Sequence, residues 1–402
     1  MNRRSARRLL SLSLFLVALP CAFTRGVYAQ ASPATGLEVR GVPAINFDSD
    51  EGFGYGVIAE LYQYGDGTRA PYRWTLQPTL FLTTEGRRDG YAFFDAPHLL
   101  GEGWRLGGFA GYERQIATPY YGVGNASTYD PALDSDDGPD PYWYRFGRTR
   151  TSATVTFHRQ LSETPLHLLF GGGAEHTTVT PVPKGEGTTL YAAEVSADES
   201  KVWSNFVRGG VVWDTRDRET GPRHGTWTEL LVWWVDESFG SDFDAVRWTF
   251  TDRRYLALTD RLVFAHRWAI QTVGSGTPVH ELFRLQTSFK QQEGLGGAKT
   301  VRGVLRNRFV GRSTLVWNAE LRWRAAEFDL LARPFHVTLS AYVDQGRVWT
   351  EGVRVDEILS DLHRGYGGGV RLGMGENFVV ALDAGTSAET GVPIYIGLGY
   401  LY

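Results

Sequence analysis

Cysteine is almost missing from this sequence of 402 residues. Its single cysteine, Cys21, lies in an apolar N-terminal run that we expect to be removed. A mature chain without cysteine can form no disulfide, and it can hold neither a thiol nucleophile nor a cysteine-ligated metal. Cys21 follows Pro20, which fits a lipoprotein cleavage box poorly.

Long hydrophobic runs are missing as well, since no later stretch is apolar enough for a membrane-spanning helix of about 20 residues. The N-terminal run, residues 9–22, is too short for that role. Four arginines precede it: Arg3, Arg4, Arg7 and Arg8. The small-residue pattern Val27-Tyr28-Ala29 follows it. This order is typical of a secretory signal peptide, and we predict cleavage after Ala29.

The sequence also lacks the common signatures of enzymes. It contains no GxSxG elbow, no HExxH motif, no P-loop and no complete GxGxxG. Its nine histidines are scattered singly, without the spacing of metal ligands. We therefore predict a protein that is not an enzyme and that uses no metal or other cofactor.

Positive charge is scarce in the predicted mature chain. Residues 1–29 contain five arginines and no acidic residue, so their removal changes the formal charge from −4 to −9. An acidic chain does not neutralise phosphates, so we predict no nucleic-acid partner.

What the sequence does contain is glycine, aromatic residues and β-strand alternation, with 48 Gly and 13% aromatic residues. In residues 313–325, for example, Leu315, Trp317 and Leu321 share one face, while Asn318 and Glu320 lie on the other. Sixteen such segments occur: 38–47, 53–63, 72–83, 89–96, 104–115, 147–160, 165–180, 202–214, 225–236, 242–257, 261–275, 313–325, 335–344, 366–374, 377–386 and 393–402. An apolar outer face and a polar inner face predict an all-β fold, a transmembrane antiparallel β-barrel of about 16 strands.

Loop lengths support this interpretation. The long connections, 116–146, 181–201, 276–312 and 345–365, follow strands five, seven, eleven and thirteen, which are all odd. Membrane barrels have long loops at one end and tight turns at the other. The sequence therefore predicts a signal peptide (1–29), a short periplasmic N-terminus (30–37) and an outer-membrane barrel (38–402) of a Gram-negative bacterium.

Four motifs follow one another along the chain. They are Asp214-Thr-Arg216-Asp217 with Pro222 and Gly225, Gly296-Gly297 with Val301-Arg302-Gly303, Asn318-Ala-Glu320-Leu-Arg322, and Tyr342-Val-Asp344-Gln-Gly346. In this order they resemble the barrel domain of the BamA/TamA-type outer-membrane assembly and surface-antigen superfamily. In the last strand, Gly397, Tyr400 and Tyr402 resemble the C-terminal insertion signal of outer-membrane barrels, and terminal aromatics are expected at the lipid–water boundary.

The resemblance implies that the loop between strands eleven and twelve folds into the lumen, where Arg302 reaches an acidic group on the wall. Asp344 is the best candidate, because an arginine fork can bind a carboxylate bidentately. Gly303 would allow a sharp turn beside it. We expect either a latch that controls the loop or a plug that stabilises the barrel. The possible lumen partners beside the loop are Glu320, Arg322 and Arg324.

For the turn motif, pairs within the turn are expected from Asp214, Arg216 and Asp217. The resemblance further implies a role in inserting or translocating proteins or lipids, through a weak seam between strands one and sixteen. Gly41 and Pro43 shorten regular pairing there, since proline donates no ladder hydrogen bond.

Family members that transport polypeptides carry periplasmic repeats before the barrel, whereas only residues 30–37 separate Ala29 from the first predicted strand. We therefore expect a barrel-only member. Outer-membrane lipid and lipopolysaccharide are expected partners, and a separate periplasmic protein is a further candidate. The alternatives are a passive pore, a surface-exposed binding protein and, third, a membrane-embedded lipid hydrolase.

Overall fold

The computed structural model describes residues 35–48, 52–69, 71–84, 86–97, 99–134, 140–185, 187–289, 292–330, 333–375 and 377–402. The predicted signal peptide, and residues 30–34 of the predicted N-terminus, lie outside the described residues. Every described residue belongs to one compact unit. No helix among the described residues is long and apolar enough to cross a membrane.

The described chain is built almost entirely from antiparallel β-strands, and seventeen of them form one sheet. These strands are β1 (Gly36–Asp48), β2 (Gly52–Gly65), β3 (Trp74–Thr83), β4 (Arg88–Ala96), β5 (Trp104–Pro119), β6 (Arg145–Gln160), β7 (Leu166–Thr180), β8 (Lys201–Trp203), β9 (Phe206–Asp214), β10 (Gly225–Val235), β11 (Ala245–Ala257), β12 (Leu262–Val273), β15 (Ser313–Leu330), β16 (Arg333–Trp349), β17 (His363–Met374), β18 (Phe378–Thr386) and β19 (Ile394–Leu398).

The remaining elements all lie in loops. A two-stranded ribbon, β13 (Arg284–Leu285) with β14 (Gln292–Glu293), lies between β12 and β15. One short helix, α1 (Leu190–Glu194), lies between β7 and β8. Single 3-10 turns span Pro183–Gly185, Ala197–Ser200, Glu237–Phe239, Val279–Glu281 and Val355–Glu357.

Apart from the short β8, each strand of the large sheet pairs with the next one along the chain. Both β8 and β9 pair with β7, so they occupy one position in the wall. The wall therefore has sixteen positions, and the predicted all-β antiparallel fold is confirmed. Among the described residues, no ladder pairs β1 with β19.

The wall is apolar outside and polar inside. On β11, the side chains of Val246, Trp248 and Phe250 are exposed, whereas the alternating Arg247 and Thr249 are buried. A water-soluble protein places its polar side chains outward and its apolar ones inward. The reversed arrangement is the one that a barrel with lipid outside and a polar lumen requires.

Several predicted strand boundaries differ from the structure, and the largest differences lie in β15, β16 and β19. Strand β16 continues to Trp349, through residues that the prediction placed in the long loop 345–365. Strands β15 and β16 also continue through residues 326–330 and 333–334, which the prediction left between two strands. A bulge between Arg324 and Ala326 shifts the register there, and this shift interrupts the alternation that the prediction used. The last strand is shorter than predicted, because it ends at Leu398 and the positive φ of Gly399 (77°) turns the chain.

The long loop of residues 274–312 packs against the inner wall through its own apolar cluster. Loop residues Leu295, Val301, Val304 and Phe309 are buried there. They contact three side chains of the wall: Ala269, Val316 and Val348. Burying one such aliphatic or aromatic side chain contributes roughly 1.5–3 kcal/mol. This packing holds the loop inside the barrel, and it positions Arg302.

Candidate lumen latch site

Arg302 follows the buried Val301 in this loop, and its side chain is fully buried, with 0% exposed. Its Nε donates to Oδ2 of Asp344 at 2.8 Å, and its Nη2 donates to Oδ1 at 3.2 Å. The backbone N–H of Arg302 also donates to Oδ2, at 3.1 Å. Three donors of one residue therefore converge on one carboxylate, which fixes the side chain and the backbone of the loop together.

Two more carboxylates approach the other end of the guanidinium group. Nη1 of Arg302 donates to Oε2 of Glu320 on β15 at 3.0 Å, and it lies 3.5 Å from Oδ2 of Asp383 on β18. The ring of Tyr342 on β16 lies against the planar face, with its centroid 3.4 Å from Cζ. These groups replace the water that a buried guanidinium loses.

Two arginines of the wall extend the network. Nε of Arg322 donates to Oε1 of Glu320 at 2.9 Å. Nη1 of Arg371 donates to Oδ1 of Asp383 at 2.7 Å, and its Nη2 lies 3.8 Å from Glu320. With Arg302 and Asp344, three arginines face three carboxylates. The formal charges balance, so the removal of any one member leaves an uncompensated buried charge.

Arg302 keeps its charge inside the lumen. Burial lowers the pKa of its guanidinium group, but the nearby Asp344 raises it by more, with Glu320 and Asp383 acting in the same direction. The net result is a pKa well above the ordinary value of arginine.

Gly303 turns the loop directly after Arg302. Its φ of 93° lies in the left-handed region, and a Cβ at this position would lie 2.5 Å from the backbone oxygen of Thr386. Its N–H donates to the hydroxyl of Tyr395 at 3.0 Å. A side chain here would be strained and would collide with β18, so the close approach of loop and wall requires glycine.

The loop backbone before Arg302 is held by side chains of β12 and β15. Nδ2 of Asn318 donates to the backbone oxygen of Thr300 at 2.6 Å. Nη2 of Arg267 donates to the backbone oxygen of Lys299 at 3.0 Å, while its Nε donates to Oδ1 of Asn318 at 2.8 Å. The loop therefore has an anchor on the wall that does not depend on the carboxylates.

The C-terminal residues extend the same network from another direction. Tyr402 is 6% exposed, and its hydroxyl donates to the backbone oxygen of Ala265 at 3.0 Å. Its backbone oxygen accepts from Nη2 of Arg322 at 3.0 Å. The ring of Tyr400 also lies against Arg322, with its centroid 4.6 Å from Cζ. Of the predicted insertion signal, Gly397 lies in β19, whereas Tyr402 is buried against lumen-facing residues and not at a lipid boundary.

The turn between β9 and β10 contains the first predicted motif, including the buried Pro222 and Gly225, the first residue of β10. Nε and Nη2 of Arg216 each donate to the carboxylate of Asp214 at 2.9 Å. Asp217 accepts from the backbone N–H groups of Arg223 and His224, at 2.9 and 3.2 Å. The charged side chains of the motif are thus used within the turn.

This turn is also clamped by Arg105 on β5, which the sequence analysis did not single out. Nη1 and Nη2 of Arg105 donate to the two carboxylate oxygens of Glu219, both at 2.8 Å. Nε and Nη2 also donate to Asp95, both at 2.6 Å. One guanidinium group therefore ties the turn to β4 and β5.

The structure brings together most of the predicted lumen residues, but not all of them. Glu320 and Arg322 join Arg302 and Asp344, whereas Nη1 of Arg324 donates to Glu327 at 2.9 Å, close to the β15–β16 turn. The sequence analysis missed Asp383, Arg371 and Tyr342 as members. The alternation of β17 and β18 could have placed the first two on the polar face.

Among the residues that the structure describes, no group of three or more His, Cys, Asp or Glu is arranged to hold a metal ion. Most polar atoms around Arg302 bind one another, whereas Nη1 of Arg322 and Nε of Arg371 have no hydrogen-bond partner among the described residues.

An apolar exterior, a charged lumen and a long loop folded into that lumen define the class of the protein: it is an outer-membrane β-barrel. Residues 77–378 match the Omp85 superfamily domain. The match covers well over half of the chain, so the chain belongs to the Omp85 superfamily, as the resemblance implied.

Two solved structures illustrate the similarity of the fold. The chain is similar to BamA of Haemophilus ducreyi lacking POTRA domains 1–3, with 14% identity and a TM-score of 0.53, over 91% of this chain and 69% of that one. It is also similar to CdiB of Escherichia coli, with 13% identity and a TM-score of 0.56, over 92% of this chain and 62% of that one. At this identity the likeness shows the fold alone. A search of curated proteins finds no significant match.

Proposed function

We propose that this barrel assists the insertion or translocation of polypeptides or lipids at the outer membrane, with a seam between β1 and β19 as the route. The observation that carries the proposal is the missing ladder between the wall's two end strands, β1 and β19, among the described residues. Strand β19 has five residues, and the chain then turns inward at Gly399. Strand β1, with thirteen residues, has no ladder partner on that side among the described residues.

An unpaired strand edge can accept another strand by β-augmentation. The N–H and C=O groups along such an edge would form hydrogen bonds with a client polypeptide. In a closed wall these groups are already paired with the neighbouring strand. The inward position of Tyr402, which Arg322 and the backbone of Ala265 hold, keeps the C-terminal residues away from this edge. A separate periplasmic protein would deliver the client.

The filled lumen argues against a passive pore. The loop of residues 274–312 occupies the lumen with an apolar cluster and with the fully buried Arg302. An open porin has a water-filled channel. Solute flow through this barrel would require the loop to leave its position.

The proposal can be tested by locking the seam with a disulfide. Since the mature chain is expected to lack cysteine, the pair Val39→Cys and Ile396→Cys would supply the only thiols; both native side chains are exposed, by 63% and 69%. The locked barrel in proteoliposomes should lose insertion of a small outer-membrane barrel client when oxidised, and a reductant should restore it.

The matched control is the pair Leu339→Cys and Val370→Cys, which lie opposite each other in the regular ladder of β16 and β17. Its oxidation should leave client insertion unchanged. Full client insertion by the oxidised seam pair would contradict the proposal. Steady solute conductance by the reduced barrel without client insertion would favour the passive pore.

A further inference from the structure

The outer face of β11 contains a charged patch where apolar side chains are expected. Along the outward face of β11 the exposed residues run Val246, Trp248, Phe250, and then Asp252 and Arg254 interrupt them before the exposed Leu256. A charged residue on the lipid-facing side of a barrel is strongly destabilising at the bilayer midplane and much less so near the interface. An ion pair at this position therefore calls for a compensating partner.

The pair is part of a group that spans three strands. Oδ2 of Asp252 accepts from Nε of Arg254 at 2.9 Å, and its Oδ1 accepts from the hydroxyl of Thr228 on β10 at 2.7 Å. His266 on β12 lies directly opposite Arg254 in the ladder. Nδ1 of His266 is buried and has no hydrogen-bond partner among the described residues.

The guanidinium group of Arg254 is held at one edge and open at the other. Its side chain is 62% exposed, whereas the side chain of Asp252 is 12% exposed. Asp252 binds Nε, and neither Nη group of Arg254 donates a hydrogen bond to a described residue. An arginine fixed in this way presents the planar donor fork that binds phosphate oxygens bidentately.

The depth of the patch fits a headgroup and not an acyl chain. Trp213 lies directly opposite Thr228, which lies opposite Asp252, so the three residues form one row across the wall. Trp213 is 45% exposed and is the penultimate residue of β9, at the end where the chain makes its tight turns. Exposed tryptophan marks the level of the lipid headgroups in membrane proteins.

We propose that Arg254, positioned by Asp252 and Thr228, binds the phosphate of a phospholipid headgroup on the outside of the barrel, and that His266 supplies a second polar contact. The acyl chains of this lipid would lie along the apolar column of β11 towards Phe250 and Trp248. The site is separate from the lumen network and from the seam, so it goes beyond the function proposed above.

The test is native mass spectrometry of the full mature chain in an uncharged detergent, titrated with dioleoyl phosphatidylglycerol. Wild-type protein should retain one tightly bound lipid, and Arg254→Gln should weaken its binding about tenfold, because hydrogen bonds to charged groups are lost. Arg254→Lys should give an intermediate loss, since lysine keeps the charge without the fork. Dioleoyl glycerol, which lacks the phosphate, should bind wild type and Arg254→Gln equally.

The matched control is Arg354→Gln, which removes a similarly exposed arginine (64%) from the β16–β17 loop and should leave lipid retention unchanged. Heat-modifiability on gels would establish that each variant is folded. Equal lipid retention by folded wild type and folded Arg254→Gln would overturn the proposal. Loss of a dimer, in place of loss of lipid, would also overturn it, because the patch would then be a contact between two barrels.

Discussion

Arg302 and Arg322 share one carboxylate: Oε2 of Glu320 accepts from Nη1 of Arg302 at 3.0 Å, and Oε1 accepts from Nε of Arg322 at 2.9 Å. Arg302 belongs to the lumen loop, whereas Arg322 holds the C-terminal Tyr402. Glu320 therefore joins two segments that come from distant parts of the chain. A change in the position of one segment alters the electrostatic environment of the other.

The pair of Arg302 and Asp344 should dominate the stability of the lumen loop. Removing one partner of a buried ion pair typically costs about 3–5 kcal/mol, because the other charge stays buried and uncompensated. We expect Arg302→Ala and Asp344→Asn each to lower the unfolding temperature on heat-modifiability gels, and the double variant to cost less than the sum of the two. Strictly additive effects would contradict direct coupling.

Glu320→Gln should loosen the loop and the C-terminus together. The neutral amide keeps the size of the side chain, but it cannot balance Arg302 and Arg322. We expect increased protease cleavage near residue 302 and increased accessibility of Tyr402 to chemical modification. Glu327→Gln, at the β15–β16 turn, is the control and should change neither. Selective exposure of one segment alone would show that Glu320 does not couple them.

Gly303→Ala should destabilise the loop although it adds only a methyl group. The added Cβ would lie 2.5 Å from the backbone oxygen of Thr386, at a φ of 93° that alanine avoids. We expect a cost of roughly 1–3 kcal/mol in the free energy of unfolding. Gly352→Ala, where a Cβ would meet nothing within 4 Å, is the control. Equal stability of both variants would contradict the close approach.

Acid should weaken the lumen packing of the loop through His280 and Glu281. Burial lowers the pKa of His280 to about 3, so this histidine stays neutral in the folded protein and is protonated in the unfolded chain below about 6.5. The unfolded state then binds more protons, and stability falls as the pH falls from about 6.5 towards 3. Burial raises the pKa of Glu281, but Arg284 and its other neighbours lower it by more, so its contribution is lost below the ordinary glutamate pKa.

The two residues therefore act in the same direction. His280→Asn should remove about 2 kcal/mol of the stability difference between pH 7.5 and pH 5, since one pKa unit corresponds to about 1.4 kcal/mol. The unfolding temperatures of wild type and variant at the two pH values measure this change in the pH dependence of stability. An unchanged pH dependence in the variant would rule out His280 as the titrating group.

Much of the wall could be predicted from the sequence, because alternation on a two-residue period is a local property. The sixteen segments follow the wall strands closely where the alternation is regular, as in β6 and β11. The prediction from alternation failed at the bulge after Arg324 and at Gly399, where the backbone departs from the extended conformation. Such departures depend on pairing and packing in the folded wall, which the two-residue period does not encode.

Only part of the lumen site could be predicted from the sequence. Arg302 and Asp344 stood out through motifs that resemble a known family. Asp383 and Arg371 lie on strands without such motifs, and their contact with the site depends on the registers of β16, β17 and β18. The inward position of Tyr402 depends on the turn at Gly399. This turn brings the backbone oxygen of Tyr402 to Arg322. Register and loop position are set by packing, which a single sequence does not display.

The central claim, that the loop closes the lumen and is held there by Arg302, is tested most directly by single-channel conductance in planar bilayers. Wild-type barrel should show a small conductance with rare openings, and Arg302→Ala should show frequent or sustained openings that Arg302→Lys partly suppresses. The same small conductance in wild type and in folded Arg302→Ala, or a large steady conductance in wild type, would contradict the account.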